Sequence, residues 1–110
     1  MKTLIVNGNF DYNLLVKFVD SIEKLENGEI LEIFLDSNGG SRDIFEYMLY
    51  TINSNPERFK IVTGYKIYSA AFNLLMFAKC EKYICKSTRG MTHLSLREVT
   101  LNSNKTATYQ

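Results

Sequence analysis

The sequence predicts a single α/β domain whose mostly parallel sheet is built from right-handed β-α-β crossovers. Three observations favour this class. The chain has 110 residues, which leaves room for one hydrophobic core. Apolar residues make up 45% of it and charged residues 23%, which is ordinary for a globular protein. Short β-rich segments alternate with amphipathic helical patterns, as they do around parallel sheets.

The first half of the chain contains two strand-helix units. Residues 3–6 form a short apolar segment, and Asp11 is a candidate N-cap for the amphipathic helix that follows and ends near Gly28. Residues 30–35 are β-rich and mostly apolar, which predicts an interior strand. Ser41 is a candidate cap for a second helix, which the Asn-Pro pair at 55–56 terminates.

The second half continues the alternation. Residues 60–63 predict a third strand, and residues 69–79 predict a third helix. Residues 82–85 and 91–94 predict two further strands, joined by a turn through residues 86–90. We therefore assign residues 1–96 to the domain. Residues 97–110 are polar and poorly patterned, which predicts an edge segment or a tail.

Composition excludes several classes of function. The net charge is +1 and no run of Lys or Arg occurs, so neither nucleic acid nor a membrane surface is expected as a partner. The longest apolar stretch, residues 67–78, is too short to span a bilayer, and the apolar N-terminal segment is too short for a secretory signal. A cytoplasmic location is expected.

The two cysteines, Cys80 and Cys85, have no further ligands at zinc-site spacing. Buried free cysteine is common in globular proteins. They are predicted to be reduced, partly buried thiols, and we expect neither a metal nor a cofactor.

Three features have the residue types of a serine hydrolase. Gly39 and Gly40 follow a predicted strand and precede a helix, where backbone N–H groups can approach a substrate. Ser69 opens a helix of small residues, and His93 is the one histidine in the chain. A serine hydroxyl becomes a good nucleophile only when a base takes its proton, and His93 can do so. Because parallel strands present functional loops at their carboxyl ends, the glycines and Ser69 should share one edge of the sheet.

Each of these residues also has a purely structural interpretation. Ser69 can be an ordinary helix N-cap, His93 a packed or surface imidazole, and the glycine pair a simple turn.

The ordered segments Asp-Ser-Asn-Gly-Gly at 36–40, Ser-Ala-Ala at 69–71 and Met-Thr-His at 91–93 resemble the proteolytic subunit of Clp protease and its short phage-encoded relatives. The resemblance extends from about residue 3 to residue 94, and it implies the ClpP/crotonase-like fold. It also implies hydrolysis of peptide bonds in peptides or unfolded proteins.

The resemblance assigns a role to each matched residue. It implies Ser69 as the nucleophile, His93 as the base, and the backbone N–H groups of Gly40 and Ala70 as the oxyanion hole, with Gly39 supporting the turn. It further implies a homo-oligomer that works with a Clp-type ATPase or a host Clp subunit.

The sequence departs from the family pattern at three places. Asn38 replaces the family's proline before the glycines, and the segment at 64–69 is bulkier and one residue longer. No carboxylate matches the family's acidic third catalytic residue, and the nearest downstream candidate is Glu98, five residues after His93. The expected enzyme is therefore a weak Ser-His dyad, unless the chain is a fragment that ends before the acid or another subunit supplies the missing group.

Two other functions are compatible with the pattern. One is a catalytically degenerate member of the same fold that serves as an assembly or interaction module, for example on a host Clp component. The other is an acyl-thioester-binding protein of the related crotonase fold, although no evident basic site for the phosphates of such a cofactor is present.

Overall fold

The computed structural model describes residues 2–92 and 97–100, which form one mixed sheet of six strands with three α-helices. The elements follow in the order β1 (Lys2–Val6), α1 (Tyr12–Glu23), β2 (Leu31–Ser37), α2 (Arg42–Ser54), a 3₁₀ turn (Pro56–Arg58), β3 (Phe59–Tyr68), α3 (Ala70–Phe77), β4 (Glu81–Tyr83), β5 (Arg89–Thr92) and β6 (Arg97–Thr100). Among these strands, all pairs are parallel except that of β5 with β6. The predicted α/β class with a mostly parallel sheet is confirmed.

The central strand is β3, which pairs with β2 on one side and with two different strands on the other. Its first half, residues 60–62, pairs with β4, whereas its second half, residues 66–68, pairs with β5. A buried polar group fills the gap between these partners. The Thr63 hydroxyl accepts a hydrogen bond from the Cys85 N–H at 2.9 Å and is hydrogen-bonded to the Thr88 hydroxyl at 2.7 Å. These hydrogen bonds fix the segment before β5 against β3, so that β5 pairs with the end of β3.

The helices begin where the sequence predicts. The Asp11 carboxylate accepts the Leu14 N–H at 3.0 Å, and the Ser41 hydroxyl accepts the Ile44 N–H at 3.3 Å. The core lies between the helices and the sheet. Its fully buried members come mainly from alternating strand positions and from helix faces, and they include Phe18, Leu31, Ile33, Leu35, Met48, Ile52, Ile61, Ile67, Leu74 and Leu75.

The third strand is longer than the sequence predicts, since β3 continues beyond Thr63 to Tyr68. Pairing with β2 passes from Leu35↔Thr63 directly to Ser37↔Ile67, so β3 contains a bulge at this point. The Asp36 carboxylate accepts the Lys66 N–H at 2.9 Å inside the bulge. A side chain from the neighbouring strand thereby replaces a backbone hydrogen bond of the sheet. The extension of β3 could not be predicted from the sequence, because hydrophobic periodicity contains no signal for such a contact.

Candidate active site

The turn between β2 and α2 is held by hydrogen bonds from a serine side chain. The Gly39 N–H donates to the Ser37 hydroxyl oxygen at 3.0 Å, and that hydroxyl donates to the Gly8 carbonyl at 2.6 Å. Gly39 has a φ of 96°, which a residue with a Cβ rarely adopts. The Gly39 N–H is therefore used within the fold and is not available to a ligand.

The next residue, Gly40, has a different environment. The Phe10 N–H donates to the Gly39 carbonyl at 2.8 Å, and the Ser41 N–H donates to the Phe10 carbonyl at 2.8 Å. These two hydrogen bonds form an isolated parallel bridge between Phe10 and Gly40. In such a bridge the N–H of Gly40 itself points away from Phe10. Among the residues that the structure describes, none accepts a hydrogen bond from the Gly40 N–H.

Ser69 lies at the turn between β3 and α3 and has an unusual backbone conformation. Its φ of 58° and ψ of −123° correspond to the first central position of a type II′ turn, where glycine is usual. It is the one non-glycine residue with a positive φ in the described part of the chain. Its side chain makes no capping hydrogen bond to α3, so it is not an ordinary N-cap. Strained residues of this kind concentrate at functional sites.

The two turns are in direct contact. A Cβ atom on Gly39 would lie 2.7 Å from the Tyr68 carbonyl oxygen, 2.8 Å from the Ala70 nitrogen and 2.8 Å from the Ser69 Cβ. Only glycine allows this approach. Ala70 is the first residue of α3, and an N–H at that position has no acceptor inside its helix.

Two cavities meet at this contact. The larger, of about 680 Å³, is bordered by Asn9, Phe10, Asp11, Asn38, Gly39, Gly40, Tyr68 and Ser69. The smaller, of about 370 Å³, is bordered by Gly40, Arg42, Phe45, Ser69, Ala70, Asn73 and Phe77. Gly40 and Ser69 border both cavities.

The structure thus brings together Gly39, Gly40, Ser69 and Ala70. His93 lies outside the described residues. The strand before it, β5, pairs with the end of β3, with Met91 opposite Tyr68. Glu98 is a backbone partner of Met91 in β6.

Three residues at this site were missed from the sequence. The Ser37 side chain that holds Gly39 has a local signal, because a serine hydroxyl often accepts the backbone N–H of the residue two positions later in a turn. Phe10 and Asn9 reach the site from the connection between β1 and α1. Nothing in their local sequence predicts that long-range contact.

The described residues contain no group of three or more His, Cys, Asp or Glu that could hold a metal ion. Cys80 and Cys85 are both free, and burial raises the pKa of the Cys80 thiol to about 11. Cys85 is exposed, so the expectation of partial burial is wrong for that residue. Cys85 follows β4 in the connection to β5, and its thiol donates to the Thr63 carbonyl at 2.9 Å. None of the helices in the described residues has the length and apolar character needed to cross a membrane.

Neither a protein-family model nor a curated protein sequence matches the chain. Solved structures do match it. The ClpP protease catalytic domain from Plasmodium falciparum aligns with a TM-score of 0.73 at 18% identity, over 86% of this chain and 56% of that one. ClpP1 from Listeria monocytogenes aligns with a TM-score of 0.65 at 19% identity, over 88% of this chain and 61% of that one.

A mutant of the 1510-N membrane-bound stomatin-specific protease aligns with a TM-score of 0.65 at 16% identity, over 81% of this chain and 45% of that one. The chain spans about half the length of these three proteins. At these identities the likeness is one of fold. The sheet topology and the alignments together show that this chain has the fold of a ClpP protease catalytic domain.

Proposed function

We propose that this chain is a ClpP-like serine peptidase that hydrolyses peptide bonds through an acyl-enzyme on Ser69. The observation that carries this proposal is the conformation of Ser69, whose backbone has a positive φ and whose hydroxyl is not used as a helix cap. It borders an open cleft of about 680 Å³ beside the glycine turn. A structural serine has no need of such strain, whereas a nucleophile at a strand-to-helix turn is exposed by it.

In the proposed reaction the Ser69 Oγ attacks the carbonyl carbon while His93 takes its proton. The Gly40 and Ala70 N–H groups stabilise the oxyanion that forms. The C–N bond then breaks, and the leaving amine takes the proton from His93. In the second half, water attacks the acyl ester while His93 takes its proton, and the Ser69 oxygen leaves with the proton that His93 returns. The pairing of Met91 with Tyr68 supports His93 as the base, because β5 runs toward the same edge as β3.

The rate of the proposed reaction depends on a third catalytic residue, the carboxylate that orients the histidine in a serine triad. Disabling the orienting carboxylate of a serine triad typically lowers the rate by about 10⁴. No carboxylate of this chain matches the family position, and Glu98 is the nearest candidate. Turnover should be slow unless a segment outside these residues or another subunit supplies the carboxylate. We propose that the substrates are peptides or unfolded segments, cleaved by a homo-oligomer in the cytoplasm that works with a Clp-type ATPase or a host Clp subunit, as in a short phage-type relative.

The test is covalent labelling with a fluorophosphonate, which loses fluoride when a serine oxygen attacks its phosphorus. The wild type should be labelled, and Ser69→Ala should not. Ser54→Ala removes an exposed hydroxyl at the far end of α2 and should label like the wild type. His93→Ala should slow labelling at least about 100-fold. A folded wild type that is not labelled would overturn the proposal.

A catalytically degenerate interaction module is the second candidate. Tyr68, a bulky residue immediately before Ser69, borders the cleft. Complete absence of labelling, together with capture of a Clp subunit by the full chain, would favour this candidate over the enzyme.

A further inference from the structure

The smaller cavity lies on the α3 side of Ser69. It is bordered by Gly40 and Ala70, the two proposed oxyanion donors, whereas the larger cleft is not bordered by Ala70. A carbonyl oxygen that meets both donors places its α-carbon beside this cavity. On the proposed function, on which this inference rests, the cavity receives the side chain of the residue whose carbonyl is attacked.

About half of the cavity wall is apolar. Phe45 is almost completely buried, Phe77 is 59% exposed at the rim, and Ala70 contributes a methyl group. Such a wall suits the CH₂ groups of an aliphatic stem. A volume of about 370 Å³ admits a side chain of medium length.

Three polar side chains, Arg42, Ser69 and Asn73, also border the cavity. Asn73 lies one helical turn after Ser69, and its N–H donates to the Ser69 carbonyl at 3.0 Å. Side chains on a helix lean toward its N-terminus, so the Asn73 carboxamide is directed toward the Ser69 end of the cavity.

The Asn73 carboxamide makes no hydrogen bond to any other described residue. Asn53 provides the contrast, since its carboxamide donates to the Phe77 carbonyl at 3.2 Å and accepts the Lys79 N–H at 2.8 Å. Asn53 thereby ties α2 to the end of α3, whereas Asn73 is left for a ligand. A carboxamide offers two donors and one acceptor oxygen, which another carboxamide matches reciprocally.

The charge at the rim does not favour an acidic ligand. The Arg42 guanidinium is already paired with the Glu46 carboxylate, with Nε and Oε2 3.0 Å apart. An incoming carboxylate would have to compete with Glu46. A neutral polar group has no such competitor.

We propose that the cavity between α2 and α3 selects a side chain with an aliphatic stem and a terminal carboxamide, so that the peptidase cleaves after glutamine. Asn73 is the specificity-determining residue. Phe45 and Ala70 contact the stem, and the Asn73 carboxamide pairs with the carboxamide of the substrate.

The experiment compares three peptidyl diphenyl phosphonates that differ only in the side chain next to phosphorus: glutamine, methionine and glutamate. Each reacts when a serine oxygen attacks phosphorus and phenoxide leaves as phenol. The wild type should react with the glutamine probe about tenfold faster than with the methionine probe, because two neutral hydrogen bonds form. The glutamate probe should react more slowly than the glutamine probe.

The matched variant is Asn73→Leu, which keeps a similar side-chain volume and removes the carboxamide. It should lose the preference for glutamine over methionine, and the ratio of the two probe rates within one protein cancels any change in the reactivity of Ser69. Equal rates in the wild type, a faster glutamate probe, or a preference that survives in Asn73→Leu would overturn this assignment alone. Absence of Ser69-dependent fluorophosphonate labelling would overturn the proposed function, and this assignment with it.

Discussion

Two strand-to-helix turns meet at the candidate site, and they use serine in opposite ways. At the turn from β2 to α2, Ser41 has an unstrained φ of −62°, and its hydroxyl accepts the Ile44 N–H. At the turn from β3 to α3, Ser69 has a φ of 58° and no capping hydrogen bond. The first turn uses its side chain to stabilise the fold. The second leaves its hydroxyl available and contains a strained backbone.

The difference separates two serines that occupy similar positions in the sequence. Both serines precede helices, and both have the sequence signature of an N-cap. Stability accounts for Ser41, because its hydroxyl satisfies a helix N–H. The presence of serine at position 69 is not explained by stability, since glycine would adopt the same positive φ with less strain. The comparison therefore predicts opposite outcomes when each turn is altered.

The largest effect is expected from Gly39→Ala. A Cβ at this position would lie 2.7 Å from the Tyr68 carbonyl oxygen, and the φ of 96° is unfavourable for alanine. We expect the free energy of unfolding to fall by about 3 kcal/mol, from strain and from separation of the two turns. Urea denaturation measures this loss. An alanine variant with wild-type stability would show that the turns are not in contact.

A smaller loss is expected from Ser37→Ala. This change leaves the Gly39 N–H and the Gly8 carbonyl without their shared partner at a largely buried position. We expect a loss of about 2 kcal/mol, because unsatisfied buried polar groups are costly. Labelling of Ser69 by a fluorophosphonate should slow as well, since the glycine turn is no longer held. Unchanged stability would mean that water replaces the hydroxyl.

The smallest effect has the opposite sign. Ser69→Gly should raise the free energy of unfolding by about 1 kcal/mol, since glycine relieves the strained φ at some cost in unfolded-state entropy. It should also abolish labelling. The matched control is Ser41→Ala, which should lower stability by about 1 kcal/mol because it removes a working cap. If Ser69→Gly destabilised the protein as Ser41→Ala does, the two turns would not differ in the way described.

Much of the site could be predicted from local sequence because its parts follow strands. The glycine pair, Ser69 and the helix caps stand at boundaries between apolar and polar segments, and the carboxyl ends of parallel strands share one edge of the sheet. Which of the two glycines keeps a usable N–H could not be predicted on physical grounds, because it depends on hydrogen bonds from Ser37 and Phe10.

The sequence by itself determined the order of strands and helices as far as β5, the caps at Asp11 and Ser41, and the resemblance on which the proposed roles of Ser69 and His93 rest. Hydrophobic periodicity and capping are local, so a single chain segment contains enough information for them. Only the tertiary structure decided the extension of β3 through Lys66, because that bulge depends on Asp36 of the neighbouring strand. It also decided the conformation of Ser69, because contacts between two distant turns hold a backbone that local preference disfavours.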